Sequence, residues 1–201
     1  VTATAKRTMP YGVMPAADVV DLLLQQHGRI RDLMTEVMGG SGDQRRAAFR
    51  QLVRLLSVHE AAEEEVVHPV ARRHAAAGDS IVADRLQEEH DAKELLEQLD
   101  GMDPDAPDFL PLFLRLRDAV ITHAVSEQRY EFNNLRHKAS PAELAGMRLL
   151  VQAAEKVAPT HPHAGVESAT ANIVIGTPTA IIDRARDAIR AARERLPRSG
   201  G

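Results

Sequence analysis

Four stretches of this 201-residue chain repeat apolar residues at three- and four-residue steps, and each places one histidine at or beside its apolar stripe. The first runs from about Pro15 to Met38 with Val19, Val20, Leu23, Leu24, Ile30, Met34 and Val37, and holds His27. The second follows the breaker Gly39-Gly40-Ser41-Gly42 and can start at Asp43. It carries Phe49, Leu52, Val53, Leu56, Val66, Val67 and Val70 with His59, before Gly78. Pro69 is expected to kink it near its end. The third begins at Asp79 or Ser80, continues through Val82, Leu86, Leu95, Leu96 and Leu99, and holds His90. The fourth runs from about Asp108 to Arg136 with Phe109, Leu112, Phe113, Leu116, Ala119, Val120 and Tyr130, and holds His123. Amphipathic helices joined by short connections imply antiparallel neighbours, so the expected fold is all-α, an up-down-up-down four-helix bundle.

In such a bundle two residues share a height when the turn between their helices falls midway between them. The four histidines are 32, 31 and 33 residues apart, with midpoints near residues 43, 74 and 106, close to the predicted turns. All four imidazoles are therefore expected within about a turn of one height in the interior. His59, His90 and His123 are each followed four residues later by a glutamate, Glu63, Glu94 and Glu127, and positions i and i+4 share a helix face. The series 49, 52, 56, 59, 63, 66, 70 keeps Glu63 inside its apolar stripe, and 109, 113, 116, 120, 123, 127, 130 does the same for Glu127. Glu94 sits at the edge of its stripe. An unpaired buried carboxylate is costly, so two of them facing imidazoles call for cations. The chain has no cysteine, which excludes thiolate zinc and iron–sulfur sites and leaves only nitrogen and oxygen ligands. For any one of these histidines a satisfied place in the core is the ordinary reading. One inward histidine per helix, matched heights and two inward carboxylates together point to metal. His68, His74 and His137 lie near helix ends among charges and are expected to be solvated, while His161 and His163 fall in an irregular stretch. Only Glu65 with His68 has the Glu-x-x-His spacing of ferritin-like di-iron sites, which disfavours that class.

Beyond the bundle, Ser140-Pro141-Ala142-Glu143 reads as a capping box opening a helix to about Val157. An irregular segment follows, then a helix capped by Thr177 with Pro178 at its first position. Its stripe of Ile181, Ile182, Ala185, Ala188, Ile189 and Ala192 is expected to dock on the bundle; a protein partner or a membrane surface is the sharper alternative. The expected organisation is an N-terminal arm over 1–14, the four-helix bundle over 15–138 and a C-terminal extension over 139–201. A net charge of -4 without a long basic run argues against a nucleic-acid partner. No stretch approaches the roughly 18 apolar residues of a membrane span and the start has no apolar signal core, so a cytoplasmic location is expected.

The order His27, His59-x-x-x-Glu63, His90, His123-x-x-x-Glu127, with the strings LLLQQHGRIRDLM, SVHEAAEEEVVHPV and ITHAVSEQRYEF, resembles the bacterial hemerythrin-like, HHE cation-binding proteins over about residues 15 to 136. The resemblance implies an oxo- or hydroxo-bridged pair of iron ions held by His27, His59, His90 and His123 and bridged by Glu63 and Glu127. The oxygen-carrying hemerythrins place a further histidine four residues after the one on their third helix, where this chain has Glu94. A set with fewer imidazoles and more carboxylate is harder and favours ferric iron, which suits reduction or disproportionation of an oxidant better than release of intact dioxygen. The resemblance therefore implies a non-haem di-iron protein that decomposes hydrogen peroxide in a catalase-like reaction. The alternative is a protein that senses or stores dioxygen, nitric oxide or iron without turnover, and a metal-free structural bundle is a third reading. Tyr130, one turn beyond Glu127, is a candidate group beside the metal, with ordinary packing as its alternative.

Overall fold

The structure, a computed structural model, describes residues 16–74, 78–157 and 177–196. The chain forms α1 (Val19–Gly39), α2 (Gly42–Ala62), α3 (His68–His74), α4 (Gly78–Asp100), α5 (Phe109–Glu127), α6 (Asn133–Lys138), α7 (Pro141–Val157) and α8 (Pro178–Arg195). A π-helical turn over Glu63–Val67 joins α2 to α3, and a second over Gln128–Phe132 joins α5 to α6. The described residues form an all-α bundle in which α1 packs on α2 and α4 on α5.

Local chemistry sets the helix ends. The carboxylate of Asp18 accepts from the Asp21 amide, so α1 opens at Val19 rather than near Pro15. Its far end needs glycine twice: a Cβ on Gly40 would stand 2.8 Å from the Glu36 carbonyl oxygen, and Gly42 has a φ of 54°. That tight link folds α2 back along α1, with α2 beginning at Gly42 instead of Asp43. Ser140 and Thr177 cap α7 and α8 as their motifs predict, accepting from the Glu143 and Ala180 amides.

Helices two and four of the sequence reading each contain one extra residue, accommodated as a π-helical turn. Pro69 explains the first. It has no N–H to offer the Glu65 carbonyl four residues back, and its ring would crowd a regular helix there. Arg193 of α8 donates to that carbonyl instead, while Arg186 pairs with Glu64 and Arg190 with Glu65. The apolar face of α8, Ile181, Ile182, Ala185 and Ile189, is buried in the same core as Leu144, Met147, Leu150 and Val151 of α7 and the bundle residues Leu23, Leu33 and Leu52. The apolar stripe of α8 is thus occupied by its own chain, through α2 and α7. Residues 1–14 and the irregular segment with His161 and His163 lie outside the described residues. No helix among the described residues is long and apolar enough to cross a membrane.

Aromatic packing closes the bundle at one end. Phe49 meets Phe109 edge-on with ring centroids 5.0 Å apart, and Phe113 stacks on Phe109 at 5.8 Å. Phe113 is fully buried. Phe113→Ala is expected to lower the unfolding free energy by about 3–5 kcal/mol. A fall in the urea midpoint, with helical content at zero urea retained, checks it.

Candidate metal centre

His27 on α1, His59 on α2, His123 near the end of α5, Glu63 at the start of the first π-helical turn and Glu127 at the last residue of α5 are all buried. Their donor atoms converge. His27 Nε2 lies 2.9 Å from His59 Nε2 and 3.2 Å from Glu127 Oε2, and His59 Nε2 lies 2.8 Å from Glu63 Oε1. On the other side Glu63 Oε2 stands 3.4 Å from His123 Nε2, with Glu89 Oε1 at 3.9 Å from the same nitrogen. Two groups result, His27, His59, Glu63 and Glu127, then Glu63, Glu89 and His123, each with donors within 4.8 Å of one another. Glu63 belongs to both.

The structure does not bring His90 to this cluster, contrary to the expectation from its height. Its side chain is 62% exposed and pairs with Glu94 on the surface. The physical reason is helix phase: Val82, Glu89 and Leu96 follow one another at seven-residue steps on the buried face of α4, and His90 stands one residue, about 100°, further round. Glu89 takes the inward place. Tyr130 is 47% exposed and also stays outside, because the second π-helical turn rotates Glu131 and Phe132 inward instead. His68, expected to be solvated, is buried; the first π-helical turn places it five residues from Glu63 on the interior face. It donates from Nδ1 to Glu131 Oε1 at 2.9 Å and from Nε2 to Glu89 Oε1 at 2.7 Å. His74 remains near the surface against Glu143, and His137 is exposed.

The donor set fits a pair of cations. Glu89 Oε2 and both oxygens of Glu127 are buried and receive no hydrogen bond among the described residues, and the nearest polar neighbour of the buried Glu63 Oε1 is His59 Nε2. A buried carboxylate oxygen without a donor needs a proton or a metal ion. Three neighbouring pairs among His27, His59, Glu63 and Glu127 stand 2.8 to 3.2 Å apart and all four donors lie within 4.8 Å, close enough for one cation to be reached by them together at metal–ligand bonds of about 2.1 Å. The histidines are also buttressed: His59 Nδ1 donates to Gln26 Oε1 at 2.7 Å, which turns its Nε2 to the cluster. Gln128 Nε2 lies 2.9 Å from His27 Nδ1, and its amide can turn to present either end. Neither glutamine, nor Glu89, stood out in the sequence.

Protons take up the charge of the cluster. Burial and the neighbouring His59 push the His27 imidazole down to about 3, so it is neutral. Burial also opposes charge on His123, but Glu63 and Glu88 bonded to it, with Glu89 nearby, outweigh burial and hold it up to about 10. His68 behaves alike, burial being overcome by Glu131 and Glu89, and also stands at about 10. Burial, with the charge of Glu63, raises the Glu127 carboxyl well above its ordinary range. Glu63 is driven the other way: burial is outweighed by His59 and His123, which hold it well below. A cavity of about 70 Å³ adjoins the cluster, walled by Leu56, Ala92, Leu96, Leu116, Val120 and Ile121, with His27, His59, Glu63 and His123 at its polar side.

Comparison with known proteins agrees with this geometry. The family model described as the hemerythrin HHE cation binding domain matches residues 18–135. A protein named DNA nickase from Nostoc sp. (strain PCC 7120 / SAG 25.82 / UTEX 2576) is 30% identical over 124 residues, 61% of this chain. The chain spans only about a third of that relative, 35% of its length. No solved structure matches.

Metal ligands must be deprotonated, and His123 and Glu127 hold protons at neutral pH in the metal-free cluster. Uptake of metal at pH 7 is therefore expected to release about two protons per chain, and apparent affinity to rise with pH. Calorimetric titrations in two buffers of different ionisation enthalpy measure the number released; release of none would contradict this protonation pattern.

Proposed function

This chain belongs to the hemerythrin HHE cation-binding family, and from that premise we propose that its buried cluster holds two iron ions and decomposes hydrogen peroxide. The observation that carries the metal reading is the set of donor-less carboxylate oxygens on Glu89 and Glu127, gathered with Glu63 among imidazole nitrogens. One ion would take His27, His59, Glu63 and Glu127; the other would take His123, Glu89 and the shared Glu63. A mixed imidazole and carboxylate set suits iron, and a bridging carboxylate suits a pair of ions.

When bound, two irons supply the electrons that reduce one peroxide to water and recover them from a second, so that two H2O2 give two H2O and one O2. The protein's own residues do the rest. The small cavity, lined by aliphatic side chains together with Arg31, Glu60 and Lys93, has room for a compact oxidant and excludes bulky ones. Lys93 donates to Glu60 at 3.0 Å in the same lining, where burial outweighs the lysine and pushes the Glu60 carboxyl up to about 7. His68 carries a proton between Glu89 and Glu131 and offsets their charge beside the ions.

A protein that binds dioxygen, nitric oxide or iron without turnover is the second reading. It is favoured by the grip of Arg186, Arg190 and Arg193 on the π-helical turn that carries Glu63, which couples α8 to the site. The name of the Nostoc relative does not lead us to propose DNA cleavage here. The net charge is -4, and those three arginines of α8 are paired with Glu64 and Glu65 rather than presented to phosphates.

Protein reconstituted anaerobically with ferrous salt is expected to hold about two irons per chain and, after exposure to air, to evolve dioxygen from peroxide. Replacing Glu63 and Glu127 together by alanine is expected to abolish iron binding. Glu89→Ala is expected to lose about one iron and His90→Ala none, because His90 faces solvent. Iron analysis decides. No iron in the wild type sinks the proposal, loss of iron in His90→Ala refutes the ligand assignment, and bound iron without oxygen evolution favours the second reading.

A further inference from the structure

Gln26 is 4% exposed and lies between His59 and α7. Its Oε1 accepts from His59 Nδ1 at 2.7 Å, and its Nε2 donates to Glu155 Oε1 on α7 at 2.8 Å. A primary amide can sit either way round with nearly the same shape, and an imidazole can carry its proton on either nitrogen. Nothing in Gln26 or His59 alone chooses between the two arrangements. An ionised carboxylate does choose, since it can only accept. Glu155 therefore takes the Gln26 N–H, which turns the Gln26 carbonyl to His59, which in turn holds the His59 proton on Nδ1. Nε2 is then the nitrogen that faces His27, Glu63 and Glu127 and is the one available to a metal.

We propose that Glu155, outside the 18–135 segment that matches the family, is a positioning residue for the metal centre: acting through Gln26, it fixes the His59 tautomer that leaves Nε2 free to ligate. The inference rests on the metal-binding reading for its purpose but not for its geometry. It gives the C-terminal extension a part in the site. A bond from the back nitrogen of a ligating histidine orients the ring and raises its basicity, and losing such a partner typically weakens metal binding by about 10- to 100-fold.

Two substitutions separate this role from packing. Glu155→Gln keeps the size and a hydrogen bond but can present an N–H to Gln26, so the direction of the relay is lost. Glu155→Asp keeps a group that can only accept. Long-range nitrogen NMR of the full chain stripped of metal reads whether His59 Nδ1 carries a proton, independently of the contact between Nε2 and Glu63. Competition against a ferrous chelator under anaerobic conditions reads iron affinity. We expect Nδ1 to be fully protonated in the wild type and in Glu155→Asp. In Glu155→Gln we expect Nδ1 to be protonated in only part of the molecules, with iron binding weaker by about tenfold, at an unchanged melting temperature of the metal-free protein. A fully protonated Nδ1 with wild-type iron affinity in Glu155→Gln overturns the proposal. A wild type that takes up no iron, while Nδ1 in Glu155→Gln is still only partly protonated, overturns the metal reading and leaves the relay standing.

Discussion

Four carboxylates, Glu63, Glu89, Glu127 and Glu131, lie inside a helical bundle where water cannot solvate them, and they cannot all be both charged and unpaired. The interior answers with protons. His68 and His123 are held charged near their carboxylates, Glu127 is kept neutral, and Glu63 stays ionised between His59 and His123. Such a core is a poor choice for stability, because apolar residues of similar volume would fill the space without any desolvation cost. Its retention makes sense where cations replace the protons. The same donors that stand 2.8 to 3.4 Å apart around protons are close enough together to act as ligands.

The π-helical turns are what pack so many polar groups at one height. A regular helix brings a side chain back to the same face after three or four residues; an extra residue delays it by one and hands the interior to the next in line. After Glu63 the interior face passes to His68, and after Glu127 to Glu131 and Phe132, which stacks on His27 with ring centroids 5.7 Å apart. The two turns thus supply a second layer, His68 with Glu131, below the first. This irregularity leaves backbone groups in need of partners. Pro69 removes one donor outright, and α8 compensates by lending the Arg193 side chain to the Glu65 carbonyl. The C-terminal helices are therefore bound up with the irregular backbone of the centre as well as with the aliphatic core.

These details explain what could be read from the chain alone. Stripes on α1, α2 and α5, the glycine link at 39–42 and the caps at Ser140 and Thr177 are local patterns whose physics involves only neighbouring residues, and they gave the helices and the set His27, His59, Glu63, His123 and Glu127. Helix α4 resisted because its middle, Glu88 to Glu94, is nearly all polar and offers no apolar period; only the seven-residue steps from Val82 to Glu89 to Leu96 reveal the phase. Counting heights put His90 among the inward imidazoles, but height says nothing of direction around the helix, and the His90 side chain faces solvent while Glu89 is buried. His68 and Glu131 were hidden by the π-helical turns, of which Pro69 was the one advance sign. Gln26 and Glu155 are 129 residues apart, and no local rule joins them.

The two halves of the centre differ electrostatically, and the difference follows from which helix each imidazole stands on. His27 and His59, on the α1–α2 pair, have carboxylates only at the cluster itself and glutamines behind them, and burial keeps His27 neutral. His123 on α5 faces α4, which presents Glu88 and Glu89 on consecutive positions, and with Glu63 these hold its proton firmly. Neutral imidazoles offer lone pairs at once, whereas an imidazolium must first give up its proton against three carboxylates. Yet those carboxylates also supply the negative charge that a cation needs, so the half that is harder to deprotonate is the half with more charge to attract metal. Glu63, touching both halves, is the one side chain whose ionisation serves each of them, and its position at the first residue of a π-helical turn, gripped from outside by α8, keeps it between His59 and His123.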